Sequence, residues 1–493
     1  MASPSPRSVR DLVAEVERRE PNLIINAAAL LEAADSTVLV SSITQDSRNV
    51  ESGGLFCAIR GNTTDGHDHI ESAIAAGAVA VLVDEQNHVA GAEASALRLT
   101  TTDTAKATGF LAAALMGQPA DDVSLVAVTG TNGKTSVVTI LAHLVNNCGG
   151  VAGSMGTLTG SLTTAAAPDF QRSLAEHRAD GATVVAAEVS SHALDQQRIA
   201  GAKVAVAVFT NLSQDHLDYH ADMDEYFEAK ARLFTPEVGA FNVIDVSDVW
   251  GQRLAGRITD AGGDVITIPG DTIAEAGVLQ QASSTFQWRD RTIELPLGGA
   301  FSVNNAVLAA EAALRLGFAL DDVAAALSTV PAVPGRFQSV DAGQPFAVVV
   351  DYSHTPASVA AAIESARRLV DGNVIIVFGA AGDRDPGKRP LMGAAASAAD
   401  RLYVTSDNPR TEDPAKIVAE VAAGVAQGGD VQVIVDRSQA ISEAISGAVP
   451  GDIVVIAGKG HEDYQIVGTT RTYFDDAVEA RKALADRGWE QDT

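Results

Sequence analysis

Two cysteines, Cys57 and Cys148, are all that 493 residues contain. That excludes a disulfide framework and a cysteine-based zinc site. Aromatic side chains make up only 5% of the chain, and no apolar run approaches the ~18 residues needed to span a bilayer. Basic residues are scarce as well: 35 lysines and arginines stand against 63 acidic side chains, for a formal charge of −28. So acidic a chain has no bulk attraction for nucleic acid or for anionic membranes. An anionic substrate must be held by a local cluster of positive groups and backbone N–H donors. The opening MASPSPRSVR lacks the apolar core of a signal peptide, so a cytoplasmic protein is expected, and a monomeric one.

What is present is an α/β composition with 43 glycines, long enough for about three domains at ~150 residues each. GGLFCAIRG and AVAVLVD have the look of strands, with a helical stretch, HIESAIAAGA, between them. Gln118-Pro119 marks a boundary. Strand and helix then alternate to about Pro334, through ATVVAAEVS and AKVAVAVFTN, with a β-rich stretch expected over Ile266–Pro296 and a helix in AVLAAEAALRLG. After PGRFQ the alternation restarts with FAVVVDYSH, NVIIVFGA, RLYVTSD, VQVIVD and DIVVIAGKG, the pattern of a second doubly wound unit. The expected domains are residues 1–120, 121–335 and 336–493.

The most informative stretch is LVAVTGTNGKTSVV, followed by TILAHLVNNCG. An apolar strand enters Gly130-Thr131-Asn132-Gly133-Lys134-Thr135-Ser136 and a helix leaves it. Glycines let the backbone curl around phosphate oxygens, and the helix presents its N–H groups and positive end to them. Lys134 would neutralise β/γ-phosphate charge and the Thr135 hydroxyl would ligate Mg²⁺. The usual phosphate-loop spacing, however, requires a further glycine at the position of Val128. Glu188 ends one buried strand and His216 stands just past another, where ligands gather in open parallel sheets. Alone, His192, His216 and His220 could be ordinary loop histidines; beside a phosphate loop, metal binding by Glu188 and His216 is the better reading. Arg336, Asp351 and His354 could reach nucleotide from the last domain, or equally form an interdomain ion pair and a helix cap.

Taken in order, these segments resemble the Mur ligases, ATP-dependent amide-forming enzymes of peptidoglycan synthesis. The resemblance runs from TQDSRNVESGGLFCAIRGNTTDGHD to GKGHEDYQ. The loop GTNGKT[ST], one glycine short, is that family's normal form. The resemblance implies a central P-loop ATPase domain and a C-terminal Rossmann-like domain behind an N-terminal domain that binds a UDP-substrate. It places Ser47, Asn62, Thr63 and Thr64 at the uridine nucleotide. Thr163, Thr164, Ser190, Gln196 and Arg198 would hold the muramoyl-dipeptide, and Asn305, Arg336 and Asp351 the ATP. Glu188 and His216 become Mg²⁺ ligands, and Lys230 in EAKARLF matches the family's carbamylated lysine. A lysine that takes up CO₂ becomes an anionic oxygen ligand able to anchor a second Mg²⁺.

Asp407-Asn408-Pro409-Arg410 matches the family's D-N-P-R box, which accompanies meso-diaminopimelate. That amino acid carries a second carboxylate, which a guanidinium can grip bidentately. Arg384, Gly458 and Glu462 complete the implied pocket, with Glu462 taking the distal amino group; Arg410 alone would read as a surface arginine capped by Asp413. The chain departs from the family in Phe301-Ser302-Val303-Asn304-Asn305, where only Asn305 of the two usual asparagines matches, and in Ala165, where many members carry proline. The implied reaction phosphorylates the D-glutamate carboxylate of UDP-N-acetylmuramoyl-L-Ala-D-Glu from ATP and joins the acyl phosphate to the diamino acid, with domain closure assembling the site. Transfer of L-lysine or ornithine, addition of the following dipeptide, folylpolyglutamate synthesis and a nonenzymatic nucleotide switch are the alternatives. The D-N-P-R, D-S-R and metal motifs argue against the last two.

Overall fold

The computed structural model describes residues 5–61, 64–86, 96–160, 162–268, 278–279 and 283–489. The chain forms two compact units. One comprises Met1–Thr129, Gly149–Ala207 and Ala229–Phe241, and the other Gly130–Cys148, Val208–Glu228 and Asn242–Thr493.

In the first unit the helix Val9–Arg19 is capped by Ser8, whose hydroxyl accepts from the Asp11 N–H, and buries Val9, Leu12, Val13 and Val16 on one face. That face joins a core shared with four parallel strands in the order Ser42–Thr44, Gly54–Cys57, Ala78–Asp84 and Leu97–Thr101. The helical stretch expected near His69 begins as a 3₁₀ turn, Gly66–His69, and continues as the helix Ile70–Ala75. A second parallel group holds Val184–Glu188 between Ser124–Thr129 and Ala152–Met155. All five residues of Val184–Glu188 are buried, which is why that sequence reads as an unbroken apolar run ending in one carboxylate.

In the second unit the helix Lys134–Asn147 packs on the long helix Ala300–Arg315. The expected β-rich segment contains an antiparallel set, Val278–Leu279, Ser284–Trp288 and Arg291–Leu295. The larger sheet runs Gln338–Ser339, Ala347–Asp351, Ile453–Ala457, Val374–Phe378, Arg401–Val404, Asp430–Val433, parallel except at its first strand. Runs such as Ala-Val-Val-Val and Val-Ile-Ile-Val are covered on both faces, by one core that includes Val359, Met392 and Ile417 and by another that includes Ile441, Ala480 and Leu484. The chain steps outward through three parallel strands to Asp430–Val433. It then returns to insert Ile453–Ala457 beside the strand it started from. The loops after Asp351, Phe378, Val404 and Ala457 therefore emerge along one edge, the carboxyl ends where doubly wound sheets bind ligands.

Candidate active site

The phosphate loop is built around two glycines that no other residue could replace without movement. Gly130 has φ +148°, and a Cβ there would lie 1.9 Å from Thr210 Oγ1; Gly133 has φ +88°, and a Cβ would lie 2.5 Å from Asn305 Oδ1. Asn305 thus sits against the loop itself. The loop is held from the 210–213 segment: Thr210 Oγ1 donates to Asn132 O at 2.5 Å, Asn132 N donates to Asn211 Oδ1 at 3.0 Å, and Ser213 N donates to Thr131 Oγ1 at 3.0 Å. Lys134 Nζ folds back to donate to Gly130 O and Thr131 O at 3.0 and 2.9 Å. No side chain caps the helix that starts at Lys134, so its positive end faces the loop's concavity. Thr135 and Ser136 are buried in its first turn.

Arg336 reaches this loop. Its Nη2 donates to Thr135 Oγ1 at 3.0 Å, and its guanidinium stacks 4.3 Å above the Tyr352 ring. Asp351 supports the turn that carries Arg336, accepting from Phe337 N at 2.8 Å and Ser353 N at 2.9 Å. His461 Nδ1 lies 3.4 Å from Arg336 Nη1; burial, aided by that guanidinium, pushes the His461 pKa down to about 4. His216 has a left-handed backbone (φ 54°), and its N–H donates to Asp215 Oδ1 at 2.9 Å. Burial works against the Asp215 carboxylate, but His216, His354 and Lys388 outweigh it and hold its pKa below the usual range. His354 is itself held below the ordinary histidine value, chiefly by burial.

At the same sheet edge the D-N-P-R box meets the loop after Ala457. Asn408 Nδ2 donates to Glu462 Oε2 at 2.7 Å, and Asn408 Oδ1 accepts from Ile466 N at 3.0 Å and Lys459 Nζ at 3.3 Å. Gly458 (φ +118°) is required there, because a Cβ would lie 2.7 Å from Asp407 Oδ2. Pro409 leads into Arg410, whose backbone is left-handed (φ 53°) and whose Nε is buried with no hydrogen-bond partner. Asp413 caps the helix Pro414–Ala422 instead of Arg410, accepting from Ala415 N. Arg384 is exposed on the loop after Phe378.

In the first unit a cleft of about 320 Å³ is lined by residues that include Thr163, Thr164 and Glu188. Glu188, 2% exposed, accepts from Thr157 N at 2.9 Å and Thr157 Oγ1 at 3.2 Å. Thr164 Oγ1 donates to Glu188 O at 2.9 Å and accepts from Ser190 N at 3.1 Å, while Arg198 Nη1 donates to Thr164 O at 2.8 Å. Arg198 is steadied by Gln196 Oε1, 2.7 Å from Nη2, and Ser190 caps the helix Ser191–Asp195. Lys230 is buried near the end of the helix Met223–Ala231. Ser47 opens a 3₁₀ turn, Thr64 is exposed, and Asn62 and Thr63 lie outside the described residues. Among the described residues no group of three or more His, Cys, Asp and Glu side chains could hold a metal ion by itself. Glu188 and Thr135 are nevertheless oxygen donors of the kind that suits Mg²⁺, which takes most of its ligands from water and substrate phosphates.

Residues 39–115 match a model described as the Mur ligase family catalytic domain, 128–313 the Mur ligase middle domain, and 335–460 the Mur ligase glutamate ligase domain. A UDP-N-acetylmuramoyl-L-alanyl-D-glutamate–2,6-diaminopimelate ligase of Synechococcus sp. (strain WH7803) is 42% identical, over 93% of this chain and 96% of its own. One so named from Geobacillus kaustophilus (strain HTA426) is 40% identical, over 91% and 96%. The chain belongs to the Mur ligase family. A solved structure of a ligase with that same name is 33% identical, covers 96% of this chain and 99% of its own, and superimposes with a TM-score of 0.66. The MurF ligase of Thermotoga maritima, solved in complex with ADP, shares the fold at a TM-score of 0.60 and 18% identity, over 90% of this chain and 98% of its own.

For this Mur ligase, sequence reasoning overlooked several groups that the fold places beside the named residues. Thr157 grips Glu188 from a loop whose sequence, Gly-Thr-Leu-Thr, carries no signal of it. Lys459, fully buried, lies 3.5 Å from Glu462, and Lys388 faces Asp215. Arg389, almost fully buried, pairs with Glu412 and Glu420 at 2.7 and 2.6 Å; Glu412 in turn accepts from Asp383 N at 2.7 Å, linking the Arg384 loop to the D-N-P-R segment. Lys459 had a usable signal, since it stands inside the quoted GKGHE motif between two residues already singled out.

Proposed function

We propose that the protein is an ATP-dependent ligase that joins meso-diaminopimelate to the D-glutamate of UDP-N-acetylmuramoyl-L-Ala-D-Glu in peptidoglycan synthesis. The observation that carries this reading is the convergence, in one unit, of the phosphate loop with Arg336 and of the D-N-P-R box with Lys459 and Glu462. The γ-phosphoryl group of ATP passes to the substrate's γ-carboxylate, giving an acyl phosphate and ADP. The amine of the diamino acid attacks the acyl carbon, loses a proton, and phosphate leaves as the amide forms. Lys134, Arg336 and the N–H groups of the loop stabilise charge on the moving phosphoryl group. Arg410 grips the distal carboxylate of the diamino acid, Arg384 assists, and Glu462, oriented by Asn408, takes the distal ammonium. Thr163, Thr164, Ser190, Gln196 and Arg198 hold the muramoyl-dipeptide, and Ser47 with Thr64 the uridine end.

The proposed magnesium ligands are Thr135 and His216 in one unit, and Glu188 and Lys230, as its carbamate, in the other. Mg²⁺ there would neutralise phosphate charge. The proposed domains are residues 1–120, 121–335 and 336–493; Pro119 opens a short helix just before the phosphate-loop strand, and the Arg336 turn precedes the large sheet. A monomeric cytoplasmic enzyme is part of the proposal; among the described residues no helix is long and apolar enough to cross a membrane. The test is ADP release with the UDP-muramoyl-dipeptide and either meso-diaminopimelate or L-lysine, with product mass as confirmation. Turnover with meso-diaminopimelate alone is expected. Turnover with lysine instead would leave a ligase and overturn the role given to Arg410.

A further inference from the structure

Arg437 and Asp476 form an ion pair with no exposure to solvent, 0% for both side chains. Arg437 Nε and Nη2 donate to the two carboxylate oxygens of Asp476 at 2.8 and 2.7 Å. Taking such a pair out of water is expensive, and well-packed apolar side chains of similar volume are often at least as stabilising. Stability therefore gives no account of why a guanidinium stands here. Its remaining contacts do. Nη2 also donates to Ala457 O at 2.9 Å, and Nη1 reaches Ser406 O at 3.5 Å. Ala457 immediately precedes Gly458, and Ser406 immediately precedes Asp407.

The strand Ile453–Ala457 ends at the first of these carbonyls and Arg401–Val404 ends shortly before the second. The two strands are not neighbours, because Val374–Phe378 lies between them. The loops they feed meet farther out, where Arg410 N donates to Ile466 O at 3.0 Å and Asn408 contacts Glu462 and Lys459, but the sheet's own ladder does not pair their bases. Arg437 bridges them across the intervening strand. It is the first residue of the helix Arg437–Gly447, and Asp476 the first of Asp476–Asp486, so both arms stand on rigid elements. Burial opposes the Arg437 charge, but Asp476, together with Asp407 and Glu462, outweighs that and raises its pKa. The same cation thus feels both halves of the amino-acid pocket.

We propose that Arg437, anchored by Asp476, is a positioning residue that fixes the spacing between the Asp407–Arg410 box and the Gly458–Glu462 loop, and with it the affinity for the incoming amino acid. This rests on the reading of those loops as the diamino-acid pocket. The test uses the full chain carrying Arg437→Met with Asp476→Leu, which removes the pair without stranding a buried charge, and separately Arg437→Lys, which keeps the charge but cannot hold Asp476 and both carbonyls together. KM is measured for meso-diaminopimelate, ATP and the UDP-muramoyl-dipeptide, alongside thermal unfolding. Each variant is expected to fold and to raise KM for meso-diaminopimelate about tenfold or more, the loss of one or two charge-assisted hydrogen bonds' worth of positioning, with the other two KM values within about twofold of wild type. Unchanged kinetics, a fall in kcat with no selective KM change, or failure of both variants to fold would overturn the proposal. If the wild type uses a different amino acid, the pocket's assigned substrate is wrong, and a selective rise in KM for that amino acid would still uphold the positioning role. A wild type that turns over with no amino acid sinks both readings.

Discussion

Replacing Gly130 with alanine puts a methyl group where the phosphate loop has no space. The new Cβ would stand 1.9 Å from Thr210 Oγ1 and 3.0 Å from the backbone N and O of Asn211. Ordinary contact distances require a retreat on the order of 1.5 Å. Thr210 cannot easily give way: it is buried, and its hydroxyl is tied to Asn132 O. Backbone at φ +148° adds a penalty of about 1–3 kcal/mol for any L side chain, and overpacking adds about 1–3 kcal/mol. The loop therefore shifts by something near an ångström, and displacements of that size at a reacting centre lower rates by about 10²-fold. ADP release measured across a range of ATP concentrations should show kcat/KM for ATP reduced about 100-fold, with a lower Tm. Adding Thr210→Ala removes the 1.9 Å clash but neither the strained φ nor the Asn211 contacts, so it should restore only part of the loss. If Gly130→Ala alone kept kcat/KM for ATP within about threefold of wild type, the geometry assigned to the loop would be wrong.

Arg410→Ala should raise KM for meso-diaminopimelate by about 10- to 100-fold while leaving KM for ATP unchanged, since one bidentate carboxylate grip is lost; initial rates against each substrate decide it. Lys459→Met should weaken diamino-acid binding by about tenfold or more, because Asn408 and Glu462 lose a buried cation that orients them; unchanged saturation curves would exclude that role. His461 should give an acid-sensitive stability term. With its folded pKa near 4 against about 6.5 unfolded, the unfolded chain binds the extra proton, so the term is fully present above pH 6.5 and is lost as pH falls toward 4. Because the ring is partly exposed the term is on the order of 1 kcal/mol, and Tm measured from pH 7 to 4 should fall less steeply in His461→Gln.

Parallel strands buried on both faces must be apolar throughout, so Ala-Val-Val-Val-Asp and Val-Ile-Ile-Val-Phe announced themselves along the chain, and their polar termini marked the sheet edge that carries the site. The phosphate loop was legible because its glycines answer a local demand of backbone geometry. Sheet order was not. Nothing in Ile453–Ala457 distinguishes a strand that returns to the middle from one added at the rim, since both are apolar runs flanked by helices. Gly66–His69 tightened into a 3₁₀ turn where Asp65 accepts from the His67 N–H, a local contact that periodicity does not register. Arg389 and Arg437 escaped notice for a related reason: a lone arginine at the start of a helix reads as a solvated charge until the fold supplies its carboxylates. The carboxylate of Asp351 accepts backbone N–H groups of Phe337 and Ser353, contacts that its place at a strand end does not announce.

The return of Ile453–Ala457 to a place between Ala347–Asp351 and Val374–Phe378 also governs how the protein can be made. Until that late segment leaves the ribosome, the nascent sheet is split at its centre, with two long apolar edges open to pairing with any other strand. Contacts so distant in sequence form slowly, and a chain held at that stage is a candidate for aggregation or chaperone capture. Translation that stops short of residue 453 thus yields no partly active enzyme, because the central strand and the Gly458–Glu462 loop arrive together.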